Sequence, residues 1–351
     1  MDDTAHNHFP VLRVCALVCR DWLAASRSIM HGDIGLHGPT IATFLQLLDS
    51  PPLNTYFGTV RFISLTLDCS GPETQSFLDL LPKFVCLGSI HLENGDLDYR
   101  IPACPNISTV NLDEVEFPSF ATFLDLMSRF PGLKNLTLGS LEFPKGSQRP
   151  EPHVKPSLLL EMLSVKVSRN DRLLRWLVSH AAAGVSTPRL TLIGFDDDAQ
   201  ASVRISGYLG HLNTSLKHLT LPPVLFETDF TANTALLSLS FTHTFYIHSD
   251  ESVGIFPHIP AILQRFRLDN LEELILAVNF LPFPPGHQEI SIRDLFAQLS
   301  TVLRTPQYMR VQSIRLKGSW NRAPDGFSRD SFIAALEREL PHHASRFSVV
   351  D

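Results

Sequence analysis

The chain has 351 residues, 44% hydrophobic and 19% charged, enough apolar material for a large core and too apolar for disorder as an overall state. Its 29 Lys and Arg against 36 Asp and Glu give a formal net charge of -7, which offers no general attraction to phosphate backbones or anionic membranes, so neither nucleic acid nor membrane is an expected partner. Cysteines at 15, 19, 69, 86 and 104 cannot all pair, no apolar run reaches the roughly 18 residues of a spanning helix, and Arg13, Arg20 and Asp21 break any signal-peptide core, so a reduced cytoplasmic or nuclear location is expected.

In chain order, residues 9–29 (FPVLRVCALVCRDWLAASRSI) carry two apolar stripes at helical spacing and read as a densely packed helix. One role for it is a cap over the first apolar layer of a repeat array. Gly32, Gly35, Gly38 and Pro39 then interrupt the helix, and residues 40–48 (TIATFLQLL) form an amphipathic helix stopped by Asp49-Ser50-Pro51-Pro52. Residues 32–59 are therefore read as a linker with a capping helix.

From residue 60 an L-x-x-L-x-L phrase recurs. Its copies begin at Val60, Leu87, Ile107, Leu133, Leu160, Thr187, Leu216, Leu236, Leu271 and Val311, spaced by 27, 20, 26, 27, 27, 29, 20, 35 and 40 residues. Helical segments at 73–81, 119–130, 171–181, 258–266 and 291–303 fall between the strand phrases, and a last helix at 330–340 covers the end. A period of roughly 20 to 29 residues with one strand per copy is the mark of leucine-rich repeats. The expected fold is α/β: an irregular solenoid over residues 60–351, with parallel strands on the concave side and helices on the convex side, behind a short all-α segment at 1–31. The buried turn asparagine of a regular array is matched only by Asn279, the same place holding Asp68, Gly95, Val115, Leu141, Val224 or Ser319 elsewhere. Two residues further on, Leu97, Phe117, Phe143, Phe226, Tyr246 and Leu281 are expected to close the core under the turns. Residues 139–156 and 279–288, rich in proline and glycine, read as surface loops.

The run Leu12-Arg13-Val14-Cys15-Ala16-Leu17-Val18-Cys19-Arg20-Asp21-Trp22, followed by Ala25-Ser26-Arg27 and by the repeats, resembles the second half of an F-box. It is most similar to the F-box proteins with leucine-rich repeats that abound in mushroom-forming fungi. In that family the module docks on the Skp adaptor of a cullin-RING ubiquitin ligase and the repeats hold a protein substrate. The resemblance implies adaptor-binding roles for Leu12, Leu17, Val18, Cys19 and Trp22. The family's opening Leu-Pro-x-Glu phrase has no counterpart in residues 1–8. An adaptor-independent repeat scaffold, or a decayed F-box protein with no ligase role, is the alternative.

Catalysis needs converging groups, and the chain has no G-x-S-x-G elbow, phosphate loop, H-E-x-x-H or paired C-x-x-C, so no enzyme, cofactor or metal is expected. Cys15 with Cys19, and Asp196-Asp197-Asp198, lack the partners and spacing of a metal site. Within each phrase the leucines face the core, so the intervening residues face the concave side. That places His91, Glu93, Asn111, Asp113, Asn135, Thr137, Lys166, Arg189, His218, Arg315 and Lys317 on a substrate-binding wall, acidic in the second and third repeats and basic in the last.

Overall fold

A computed structural model describes residues 32–48, 56–67, 71–144, 159–166, 171–182, 187–193, 199–222, 230–247, 252–255, 263, 270–279, 288–308, 310–318, 329–339, 341 and 344–350. The positions Leu12, Leu17, Val18, Cys19 and Trp22, expected from the resemblance to bind an adaptor, the Asp196–Asp198 run and most of both expected loops lie outside these residues, as does the expected 258–266 helix apart from Leu263. The chain divides into two compact units, Met1–Leu160 and Glu161–Asp351. Both are mixed α/β with parallel strands, and the strand order is open, not closed into a barrel.

The phrase arithmetic accounts for the strands. At the first, fourth and sixth positions of all ten phrases the side chain is buried, from Val60, Ile63 and Leu65 in the first copy to Val311, Ile314 and Leu316 in the last. Full burial of such an aliphatic side chain contributes about 1.5–3 kcal/mol. Thr187 is the polar exception among them, buried with its hydroxyl hydrogen-bonded to the buried Tyr208.

In the first unit the strands are β1 (Asp33–Leu36), β2 (Phe62–Thr66), β3 (Ser89–Asp96), β4 (Thr109–Glu116), β5 (Asn135–Leu138) and β6 (Leu141–Glu142). β1 to β5 pair in sequence order, all parallel, and β6 continues along β4. Helices α1 (Gly38–Leu48), α2 (Pro72–Leu78) and α3 (Phe120–Ser128) supply an aromatic layer. Phe44 meets Phe77 edge-on at 6.0 Å, and Phe117 meets Phe123 at 5.5 Å and stacks on Phe143 at 5.7 Å. α3 starts where its sequence says, with the Ser119 hydroxyl accepting the Thr122 N–H at 3.1 Å. α1 begins at Gly38 and not at Thr40 as the sequence reading has it, and the Thr40 hydroxyl, in its first turn, accepts the His37 N–H and donates to the His37 carbonyl.

The second unit holds β7 (Met162–Lys166), β8 (Arg189–Ile193), β9 (His218–Leu221), β10 (Ser238–Ile247), β11 (Ser252–Ile255), β12 (Glu273–Asn279), β13 (Gln288–Ser291), β14 (Ser313–Gly318) and β15 (Phe347–Val350). The parallel order is β7-β8-β9-β10-β12-β14-β15. β11 is antiparallel to the end of β10, and β13 to β11. Helices α4 (Asp171–Ala182), α5 (Ala199–Leu212), α6 (Ile292–Leu303) and α7 (Arg329–Glu339) lie between strands in the chain.

One backbone device recurs through both units. The carbonyl at the second position of a phrase accepts two N–H groups, from the second and third positions of the next. Arg61 O accepts from Gly88 and Ser89, Gly88 O from Ser108 and Thr109, Ser108 O from Lys134 and Asn135, and Lys217 O from Leu237 and Ser238, all within 2.8–3.1 Å. This fork ties successive phrases through main-chain groups, joined at Gly88 O by the Ser108 hydroxyl, which donates to it at 3.3 Å.

Four features depart from the sequence reading. The segment read as linker contains β1, held because Gly32 O forks to Arg61 and Phe62. α5, β11 and β13 were not expected, and β15 follows α7, so a strand, not a helix, adds last to β14. The places where a regular array buries a turn asparagine are still strand in the first unit, with Gly95, Val115 and Leu141 in register. Asn94 and Glu114, at matching places, take left-handed φ of 53° and 54°, and that shift turns Val115 into the core.

Candidate functional site: the polar faces of the parallel strands

The third and fifth positions of the phrases alternate with the buried leucines, so each strand presents them on one face. In the first unit one row runs Ser64, His91, Asn111, Thr137, and the next runs Thr66, Glu93, Asp113. Asn135 lies in the preceding row beside Thr109 and Ser89. The sequence therefore put His91, Glu93, Asn111, Asp113, Asn135 and Thr137 on a common face, and missed Ser64 and Thr66, which carry the same alternation one strand earlier.

These groups bond largely to one another. Thr66 donates to Glu93 Oε1 at 3.1 Å, Asn135 Nδ2 to Thr109 at 3.2 Å, and the Ser140 N–H to Asp113 Oδ1 at 3.2 Å. His91 Nδ1 is 3.4 Å from the Ser64 hydroxyl, while its Nε2, 3.8 Å from Glu93 Oε2, is buried with no hydrogen bond. Gly139 is what admits the Asp113 carboxylate. A Cβ on Gly139 would stand 1.9 Å from Asp113 Oδ1.

In the second unit one row runs Met162, Arg189, His218, Ser238, Glu273, Ser313, and the next runs Ser164, Thr191, Thr220, Ser240, Ile275, Arg315. Lys166 and Lys317 lie one step further along β7 and β14. Ser238 donates to Glu273 Oε2 at 2.9 Å, and Arg315 pairs with Glu273 Oε1 at 2.8 Å. Burial, and then the positive charges of Arg189 and Lys217, hold the His218 imidazole below its usual range, with Glu273 opposing them. The Ser238–Glu273–Arg315 link was not foreseen, because it depends on strands 35 and 40 residues apart becoming neighbours.

Cys104, Tyr208 and Tyr308 are part of the core, whereas Cys86 is exposed. Burial pushes the Cys104 thiol up to about 11, and raises the buried Tyr208 and Tyr308 phenols well above their usual range. The Tyr308 hydroxyl donates to the Leu263 carbonyl at 2.6 Å. Among the described residues no group of three or more His, Cys, Asp or Glu could hold a metal, and no helix is long and apolar enough to cross a membrane. Comparison with protein-family models and with curated proteins gives no match.

Proposed function

We propose that the chain is the substrate-recognition subunit of a Skp-cullin-F-box ubiquitin ligase, holding a protein substrate on the strand faces of a leucine-rich-repeat solenoid and performing no chemistry itself. The observation that carries the recognition half is the register: side chains from phrases 20 to 40 residues apart stand side by side in continuous polar rows. Such a surface can hold an extended or folded protein at several points while the leucines behind it stay fixed. The adaptor half is supported by the LRVCALVCRDW run and its likeness to an F-box.

The test is co-purification of the full chain with the Skp adaptor, beside a complete F-box protein as control. Capture that is lost on Leu17→Ala with Trp22→Ala supports the ligase reading. No capture where the control succeeds overturns it, and a strand face that still binds protein then defines an adaptor-independent repeat scaffold.

A further inference from the structure

On the face of β7 to β10, the hydroxyls of Ser164, Thr191, Thr220 and Ser240 stand in one row across four consecutive strands. Neighbouring strands are about 4.8 Å apart, so these are closely spaced, each able to donate one hydrogen bond. Ser164 is buried and Thr191, Thr220 and Ser240 are partly exposed, and none of the four side chains has a hydrogen-bond partner among the described residues. Lys166 follows Ser164 by two residues, and Arg189 and His218 precede Thr191 and Thr220 by two, so cationic or ionisable side chains flank the row on the same face. None of these three forms an ion pair among the described residues, and Glu273, the carboxylate in the row of Arg189 and His218, bonds to Ser238 and Arg315. The β7–β9 part of these rows thus offers hydroxyl groups and positive charge with no carboxylate beside them.

We infer that this face binds an Asp- and Glu-rich protein segment, whose carboxylates and backbone carbonyls accept from the partly exposed hydroxyls of Thr191, Thr220 and Ser240 while Lys166 and Arg189 balance its charge. The inference rests on the reading of the strand face as the substrate-holding surface. Charge complementarity selects an acidic occupant, and rows Met162 to Ser238 and Ser164 to Ser240 hold no Phe, Tyr or Trp on which successive nucleotide bases would stack. The second unit as a whole has 18 Lys and Arg against 19 Asp and Glu, too balanced a field to attract a phosphate backbone at long range.

The experiment is fluorescence anisotropy on the full chain with three labelled probes: a poly-glutamate peptide, a poly-lysine peptide and an oligouridylate. The glutamate peptide binds, and Lys166→Glu with Arg189→Glu weakens it roughly tenfold or more. Thr191→Val with Thr220→Val, which keeps shape and strand preference, weakens it by a smaller factor, while the wild-type circular dichroism spectrum is retained. Affinity unchanged in both variants, tighter binding of poly-lysine, or equal binding of oligouridylate with the same sensitivity overturns the inference. A chain that captures the Skp adaptor yet ignores poly-glutamate overturns this inference alone, and one that binds the peptide without the adaptor overturns the ligase reading alone.

Discussion

In the first unit the polar residues of the strand face bond largely to one another, whereas in the second most of them have no side-chain partner among the described residues. Thr66 with Glu93, Asn135 with Thr109 and Asp113 with the Ser140 N–H leave the first face largely satisfied. Among the described residues the second face has the link Ser238 to Glu273 to Arg315 and a row of hydroxyls without side-chain partners. The charge follows the same division: 11 Lys and Arg against 17 Asp and Glu in the first unit, near balance in the second. One backbone plan therefore supports a face that fixes its own strand ends and a face whose donors gain most when a partner arrives, since a hydrogen bond already made offers little to a ligand.

The comparison breaks most severely where the shared frame is removed. Phe117→Ala in the first unit and Leu219→Ala in the second each cost about 2–5 kcal/mol, read as a lowered denaturation midpoint. Similar losses in the two units show that the cores are equivalent and that only the faces differ.

Gly139→Ala comes next. The new methyl displaces the Asp113 carboxylate and strands the Ser140 N–H, at about 1–3 kcal/mol by equilibrium denaturation. Unaltered stability would mean that the apposition of Asp113 and Gly139 does not hold the end of β4. In the second unit, a double-mutant cycle of Glu273→Gln and Arg315→Gln gives a coupling below about 1 kcal/mol, because Arg315 is half exposed. A larger coupling would make that face self-satisfied like the first.

The smallest effect is one of pH. Burial and Arg189 keep His218 from taking its proton at the ordinary value, whereas the unfolded chain takes it near pH 6.5. Its contribution to stability is therefore full above about pH 6.5 and is lost as the pH falls through the lower folded value. Thermal midpoints at about pH 7.5 and 5.5 fall less far apart in His218→Gln than in the wild type. Equal differences would remove His218 from the acid response.

Much of the frame was legible in the sequence because it is periodic. Positions one, four and six of every phrase are apolar or, at Thr187, polar with a buried partner, and alternation then placed the face residues. What was not legible lacks a period. β1 has four residues and two apolar side chains, too short to register as alternation, and β15 follows a helix that looked terminal. The residue three before the phrase, buried in Phe84, Cys104, Phe130, Asn233 and Tyr308, varies too much in type to be seen, although each closes the same turn through its carbonyl. The bonding among face residues could not be read at all, since it depends on which phrases become neighbours.

The forked carbonyl has a bearing on how such a chain can change. Because the second-position carbonyl grips the following phrase without using a side chain of the third or fifth position, strand spacing is indifferent to what those positions hold. Even Pro188, which has no N–H to give, keeps its carbonyl forked to Lys217 and His218. Recognition and folding are thereby written in separate alphabets, and the residues that choose a partner can be replaced one by one while each strand still finds its neighbour.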